Sequence, residues 1–245
     1  MTLNPDTSPF YLLPLLGFDT ETDGVNVKND HVITCNITYS MTPETPPEEF
    51  EKHDWILKPV VPIPEGASAV HGISTEYAQE HGEEPREALQ GIHDHLAAWE
   101  GHRLPLVAYN AAYDCSLLTY EWKRHGIQSK VKFDRVIDPL VMDKQAFRYR
   151  RSGERKLSNL SKTYGIELVN AHTADADVLA TLLIARKIAF AAPKLKLDRP
   201  VDKVHADQIQ WSAEQAANFQ EYKRRTDPTA IINGEWPVKY GDLGN

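Results

Sequence analysis

An apolar run from Leu12 to Phe18 ends directly in the acidic pair Asp19 and Glu21. A run of this length predicts a buried β-strand. Because side chains two residues apart in a strand point to the same side, both carboxylates would stand together at its carboxyl end. Two ionised carboxylates there are costly unless a cation neutralises them. The competing interpretation is a pair of exposed acids in the turn after the strand.

A second acidic position follows another apolar strand, Leu104 to Ala108. The sequence continues with Asn110-Ala-Ala-Tyr-Asp114 and opens a helix. Open α/β sheets bind ligands at the carboxyl ends of their strands, so Asp114 would lie at the same edge as the first acids. The alternative is that Asn110 or Asp114 only caps the helix or complements its dipole.

A third position is His172-Thr-Ala-Asp-Ala-Asp177, where a loop meets a long helix. Asp177 is the candidate for a site, and Asp175 is interpreted as an acid that complements the helix dipole. A surface histidine followed by two such acids is the competing interpretation. Each of the three positions is weak alone, and their order along the chain is what makes them specific.

The remaining pattern predicts an α/β fold with a mixed sheet and helices on both faces. Val32 to Tyr39 alternates between apolar and polar residues, which predicts a half-exposed strand. Phe50 to Leu57 is a weaker third strand, and Val136 to Asp138 is a short later one. Helices are predicted at Pro85–Glu100, Ala112–His125, Leu157–Tyr164 and Ala174–Phe190.

The character of the chain changes after Pro193, so we predict a main domain at 1–190, with its core at about 12–190, and an extension at 191–245. Lys194 to Asp207 is polar and predicted to be irregular. Ser212 to Arg225 carries a capping-box signature and predicts a helix. The last twenty residues are predicted to be irregular, and no function is assigned to the extension.

The chain has 245 residues and a formal net charge of −8. This balance argues against a protein that coats nucleic acid non-specifically, but carboxylates that hold cations present a positive site once loaded. Two cysteines, Cys35 and Cys115, suggest no disulfide framework and fit a reducing compartment. The run Phe10 to Phe18 is too short to span a bilayer and lacks signal-peptide flanks, so a cytoplasmic protein without membrane association is predicted.

Taken together, the motifs resemble those of the DEDDh 3′–5′ exonucleases, the family typified by the epsilon proofreading subunit of bacterial DNA polymerase III. The resemblance covers about residues 12–190. Two lesser matches are Val70 to Ile73 and Leu157 to Ile166. The three main matches are Phe18-Asp19-Thr20-Glu21-Thr22, Asn110 to Asp114, and His172 to Asp177.

The resemblance implies a ribonuclease-H-like fold whose mixed sheet contains one antiparallel strand. It also implies two Mg²⁺ or Mn²⁺ ions, which prefer the hard oxygen ligands of these acids. Asp19 would bridge both ions, Glu21 and Asp177 would complete the first site, and Asp114 would support the second. His172 would be the general base, so activity is predicted to rise with pH near a histidine pKa of roughly 6.5.

Substrate contacts are also implied by the resemblance. Thr22 and the backbone near Thr20 would meet the terminal 3′ hydroxyl. The last nucleotides would contact His71, Ile73, Asn110 and Tyr113, although Ile73 and Tyr113 are equally well interpreted as core residues. The basic segment Arg148 to Arg151, with Arg155 and Lys156 nearby, would hold phosphates of the incoming strand or form a solvated loop.

The predicted function is a 3′–5′ exonuclease that acts on single-stranded DNA or frayed 3′ ends, as in DNA repair or proofreading. The alternative is an RNA-trimming exoribonuclease of the ribonuclease T or oligoribonuclease type, which the same five residues would serve equally well. A catalytically inactive binding module and a phosphodiesterase for small nucleotides are further alternatives. The expected partner is nucleic acid with a free 3′ end, and association with a polymerase or sliding clamp is left open.

Overall fold

The structure is a computed structural model that describes residues 3–151, 153–166 and 174–242. The described residues form one five-stranded sheet in the order β3-β2-β1-β4-β5. The strands are β1 (Leu15–Thr22), β2 (Val32–Ser40), β3 (Glu51–Ile56), β4 (Leu106–Val107) and β5 (Val136–Ile137). β2 runs antiparallel to both neighbours, while β1, β4 and β5 are parallel. The predicted mixed α/β sheet is confirmed.

Eight α-helices surround this sheet in the described part of the chain. Their bounds are α1 (Glu65–His71), α2 (Thr75–His81), α3 (Pro85–Gly101), α4 (Ala112–Arg124), α5 (Pro139–Ala146), α6 (Leu157–Thr163), α7 (Ala174–Ala191) and α8 (Val201–Lys223). Short 3₁₀ turns lie at Phe10–Leu12, Pro47–Glu49, Pro193–Leu195 and Tyr240–Asp242. None of the described helices is both long and apolar enough to cross a bilayer.

α3 and α4 cover one face of the sheet and α7 covers the other, which creates two apolar clusters. On the α7 side, a Cβ added to Gly17 would lie 2.7 Å from Val178 and 2.8 Å from Leu182. Only glycine therefore lets α7 lie this close to β1. Arg186, further along α7, donates hydrogen bonds to Leu13 O and Ser40 Oγ and fixes the helix against the sheet.

The prediction that β2 is half-exposed is wrong. Asn36, Thr38 and Ser40 are all buried, with at most 1% of their surface exposed. α7 packs on that face, and the polar groups are satisfied there: Thr38 donates to Asn36 Oδ1 at 2.7 Å and Asn36 donates to Asp54 Oδ1 at 2.7 Å. Alternation of polarity therefore marked a buried hydrogen-bonded face and not a solvated one.

The prediction of an irregular segment at Lys194–Asp207, followed by a helix from Ser212, is also wrong. α8 begins eleven residues earlier, at Val201. Its buried residues are Val201, Val204, His205 and Gln208, which are spaced as one face of a helix. The many charged residues between them concealed this stripe, and the supposed cap Ser212 lies inside the helix.

The residues after 190 pack into both clusters. Leu195, Leu197, Val201 and Val204 join the cluster under α7, whereas Trp236 and Val238 join the one under α4. The division of the chain at 190 stays a prediction. The packing nevertheless brings the C-terminal segment to both faces of the sheet.

Candidate active site

Asp19 and Glu21 lie on the face of β1 that is directed toward α7. They alternate with the buried residues Phe18 and Thr20 and share the side of Gly17, which α7 covers. Both side chains are partly buried. The strand thus carries two carboxylates from the apolar interior to the carboxyl edge of the sheet.

Asp177 reaches the same edge from the first turn of α7. The contact of Val178 with Gly17 fixes the start of the helix beside β1. A second tie is the ion pair between Lys52 Nζ of β3 and Asp175 Oδ2, 3.2 Å long. The acid that we interpreted as a dipole partner of the helix is therefore also an anchor. Asp177 is close enough to raise the pKa of both Asp19 and Glu21.

Asp114 comes from the start of α4 and is attached directly to β1. Its Oδ1 accepts hydrogen bonds from Thr20 N at 3.1 Å and from Thr20 Oγ1 at 2.6 Å. Asp114 is only 3% exposed. The hydroxyl and amide of the residue between Asp19 and Glu21 thus hold the third acid beside them.

Asp138 organises the backbone that delivers Asp114. This buried carboxylate follows β5 and accepts from Asn110 N at 3.1 Å, Ala111 N at 2.9 Å and Leu140 N at 2.9 Å. Asn110 adopts a left-handed conformation with φ of 61°, which turns the chain into α4. Asp138 is not among the predicted site residues, although it stands at the carboxyl end of a strand as Asp19 does.

The electrostatics of the cluster make its ionised state unfavourable. Burial, followed by the charges of Asp114, Glu21 and Asp177, raises the pKa of Asp19 well above its usual range. Burial and the charges of Asp177 and Asp114 raise the pKa of Glu21 to about 7. Burial also raises the pKa of Asp114, against the opposing effect of its hydrogen bonds from Thr20. Among the described residues, no lysine or arginine forms an ion pair with these three acids.

A divalent cation fits this donor set. The carboxylates are hard oxygen ligands, and a bound cation would relieve the repulsion that raises their pKa values. Within the described ranges, no three acidic, histidine or cysteine side chains form a ready-made metal centre. The fit therefore rests on the chemistry and shared charge of the acids. His172, the predicted general base, lies outside the described residues.

Two predicted substrate residues are linked to each other beside the acids. Thr22 Oγ1 lies 2.8 Å from Tyr113 Oη, and each hydroxyl reaches Gly24 O at 2.6 Å. Tyr113 precedes Asp114, and Thr22 follows Glu21. Thr20 is different, because its hydroxyl is already used by Asp114. Their contact with substrate stays a prediction.

The other predicted substrate residues lie in less distinctive surroundings. Ile73 packs against the small apolar cluster of Ile33 and Ile63, as a core residue does. His71 ends α1 and accepts a hydrogen bond from Ile73 N through Nδ1, while its Nε2 is buried with no hydrogen-bond partner among the described residues. Asn110 is exposed. Roles for these residues in binding remain predictions.

The basic segment after α5 is partly used for internal structure. Arg150 Nε donates to both oxygens of Asp143 at 3.1 and 3.0 Å, and Arg155 Nε donates to Oδ2 at 3.0 Å. Asp143 is fully buried. Two of the arginines suggested for phosphate binding therefore neutralise a carboxylate of the fold, whereas Arg148 and Arg151 are exposed.

Known proteins share this architecture. A family model described as RNase_T, exonuclease, matches residues 16–185. The chain is 28% identical over 180 residues to a 3′-5′ exonuclease DinG of Staphylococcus aureus strain bovine RF122 / ET3-1, and 27% identical to that of strain USA300. Each match covers 74% of this chain and 18% of the relative, so the chain spans about a fifth of the length of these relatives.

Solved structures of exonuclease I have a similar fold. Escherichia coli exonuclease I in complex with a dA16 oligonucleotide gives a TM-score of 0.60 at 22% identity, covering 74% of this chain and 42% of that one. The exonuclease I of Methylocaldum szegediense gives a TM-score of 0.55 at 20% identity, covering 74% of this chain and 41% of that one. Because the family model spans more than half of the chain, the protein belongs to the RNase_T exonuclease family.

Proposed function

We propose that this chain is a 3′–5′ exonuclease that hydrolyses phosphodiester bonds of single-stranded DNA or frayed 3′ ends. The observation that carries the proposal is the convergence of acids from β1, α4 and α7 at one edge of the sheet, where burial and one another's charge raise the pKa values of Asp19 and Glu21. Such a cluster is unfavourable for stability alone and suited to binding cations.

The family depends on divalent metal ions. In this chain, Asp19, Glu21, Asp114 and Asp177 would hold two Mg²⁺ or Mn²⁺ ions, with Asp19 shared between them. Two such ions, when bound, steady the attacking and leaving oxygens of an in-line displacement. Thr20 holds Asp114 in place, and the closeness of α7 to Gly17 holds Asp177. His172, in neutral form, would take the proton of the attacking water.

Single-stranded DNA is the proposed substrate because related structures contain it. Two of the Escherichia coli exonuclease I structures are complexes with dT13 and dA16 oligonucleotides. A free 3′ end is part of the proposal and follows from the polarity named for the DinG relatives. A reducing, cytoplasmic setting is also proposed, since Cys35 and Cys115 are both free and buried.

A time course on single strands labelled at the 5′ end tests the proposal. Matched DNA and RNA oligomers are incubated with Mg²⁺, Mn²⁺ or EDTA. The expected result is a ladder of labelled products that shortens from the 3′ end, on DNA faster than on RNA, and only with metal. Immediate release of a labelled mononucleotide would indicate the opposite polarity. Wild-type protein that leaves every oligomer intact with both metals would refute the proposed activity.

A further inference from the structure

A pocket lies beside Tyr113, next to the acid cluster. It encloses about 420 Å³ between the loop after β1, the start of α4 and the C-terminal segment. Its walls include Val25, Lys28, Tyr113 and Lys239. The volume falls in the range of roughly 300–1,000 Å³ typical of small-ligand sites.

The pocket adjoins the acid cluster through Tyr113. This residue immediately precedes Asp114, and its hydroxyl lies 2.8 Å from Thr22 Oγ1, one residue after Glu21. A strand whose last phosphodiester reached the acids would therefore have its neighbouring nucleotides near this pocket.

The loop that forms one wall is fixed internally and to α4. Asn26 N donates to Asp30 Oδ2 at 2.6 Å, which closes the loop. Arg124, at the end of α4, donates to Lys28 O at 2.8 Å and to Asp30 O at 3.2 Å. Because these bonds involve the backbone of Lys28, the position of the loop does not depend on the Lys28 side chain.

Lys239 is brought to the opposite wall by the C-terminal segment. Trp236 and Val238 are 5% and 2% exposed, and Trp236 Nε1 lies 3.4 Å from Asp138 Oδ2. Lys239 N donates to Ser116 Oγ of α4 at 3.0 Å. The segment is thus anchored by the backbone of Lys239 and by its neighbours, so the ammonium group itself is not needed for anchoring.

The chemistry of the walls suits a nucleotide of a single strand. Two lysine ammonium groups attract phosphates, while the ring of Tyr113 and the 90% exposed Val25 offer surfaces for a sugar or base of any identity. None of the described residues that line the pocket is acidic, although the chain has a net charge of −8. The family match covers residues 16–185 and therefore does not include Lys239.

We propose that this pocket is a phosphate-binding subsite for the substrate strand, completed by Lys239 from the C-terminal segment. The proposal rests on the proposed exonuclease function and adds a role for residues outside the family domain. Lys28 and Lys239 would contact the backbone of the strand just upstream of its 3′ end, without reading sequence.

The test measures binding of a 5′-labelled single-stranded 12-mer, as DNA and as RNA, by fluorescence anisotropy against salt. An Asp19→Asn background keeps the oligomer intact. Lys239→Ala is expected to weaken binding several-fold at low salt and to reduce the salt slope by about 0.7, the value for one lost phosphate contact. Lys239→Arg is expected to retain both. Equal losses of affinity for the DNA and the RNA 12-mer would indicate that Lys239 recognises phosphates. A loss of affinity for only one of them would indicate that the subsite also contacts the sugar.

Lys203→Ala is the matched control, because Lys203 lies on α8, outside the pocket, and its side chain is 66% exposed. It removes the same charge and is expected to leave affinity and slope unchanged. Lys239→Gln, with a thermal melt of each variant, separates a lost charge from a disturbed fold. Unchanged affinity and slope in both Lys239→Ala and Lys239→Gln would overturn the subsite. If the wild type still degrades 3′ ends in that case, the proposed exonuclease function is retained. A wild type without this activity would overturn the proposed function.

Discussion

Asp143 and Asp19 are acids of the same fold with opposite surroundings. Asp143 accepts hydrogen bonds from Arg150, Arg155 and the hydroxyl of Tyr164, so its charge is balanced within the protein. The pKa of Asp19 is raised by burial and further by the charges of Asp114, Glu21 and Asp177, and no cation of the protein balances it among the described residues. The contrast teaches that the charges around a buried acid distinguish a structural carboxylate from a candidate cation ligand.

The largest effect on activity is expected from removing a carboxylate of the acid cluster at the sheet edge. Asp19→Asn takes away the carboxylate proposed to be shared by both metal ions, so the rate of 3′ cleavage should fall by about 10³-fold or more. Its melting temperature without metal should not fall, because Asn keeps the size of the side chain and cannot ionise beside Asp114, Glu21 and Asp177. Asp94→Asn, which alters an exposed acid on α3, is the control of equal charge and should retain activity. Retention of activity by Asp19→Asn would contradict the assignment.

Substitution in the cluster of Asp143, Arg150 and Arg155 should lower stability and leave activity intact. Asp143→Asn keeps the shape but leaves Arg150 and Arg155 without their common partner, so the free energy of unfolding should fall by about 3 kcal/mol. Denaturant unfolding measures this loss. Cleavage per folded molecule should persist under conditions where the variant stays folded. Unchanged stability would show that the two arginines do not depend on this carboxylate.

A smaller effect concerns pH in the absence of metal. The folded-state pKa of Glu21, about 7, is higher than its usual value of 4.5, so folding favours its protonated form. Its contribution to stability is present below pH 4.5 and is lost as pH rises through 7. Glu21→Gln lacks this loss and should be more stable than wild type by on the order of 2 kcal/mol at pH 8. The difference should vanish near pH 4, and a constant difference across pH would show that the titration of Glu21 is not its cause.

The sequence predicted the parts of this molecule that depend on local pattern. The strand that carries Asp19 and Glu21, the helix that opens with Asp114 and the helix that carries Asp177 all lie close to their predicted places. Their meeting at one edge followed from the rule that parallel strands end together.

Other parts depended on contacts between distant segments. Asn36 and Thr38 looked solvated because alternation does not reveal that α7 covers the polar face of β2. Lys239 carries no local signal, since it reaches the pocket only through the bond of its backbone to Ser116 and the burial of Trp236. Asp143 and Arg150 likewise become partners only after α5 and the following loop are folded.

Calorimetric titration of Mn²⁺ at pH 7.5 into wild type, Asp19→Asn and Asp143→Asn tests the comparison of the two clusters most directly. Wild type and folded Asp143→Asn are predicted to bind Mn²⁺ with the same affinity, because Arg150 and Arg155 already neutralise the carboxylate of Asp143. Asp19→Asn is predicted to lose this binding. Equal binding by wild type and Asp19→Asn, or no binding by wild type, would contradict the proposal that the acids at the sheet edge form a metal site.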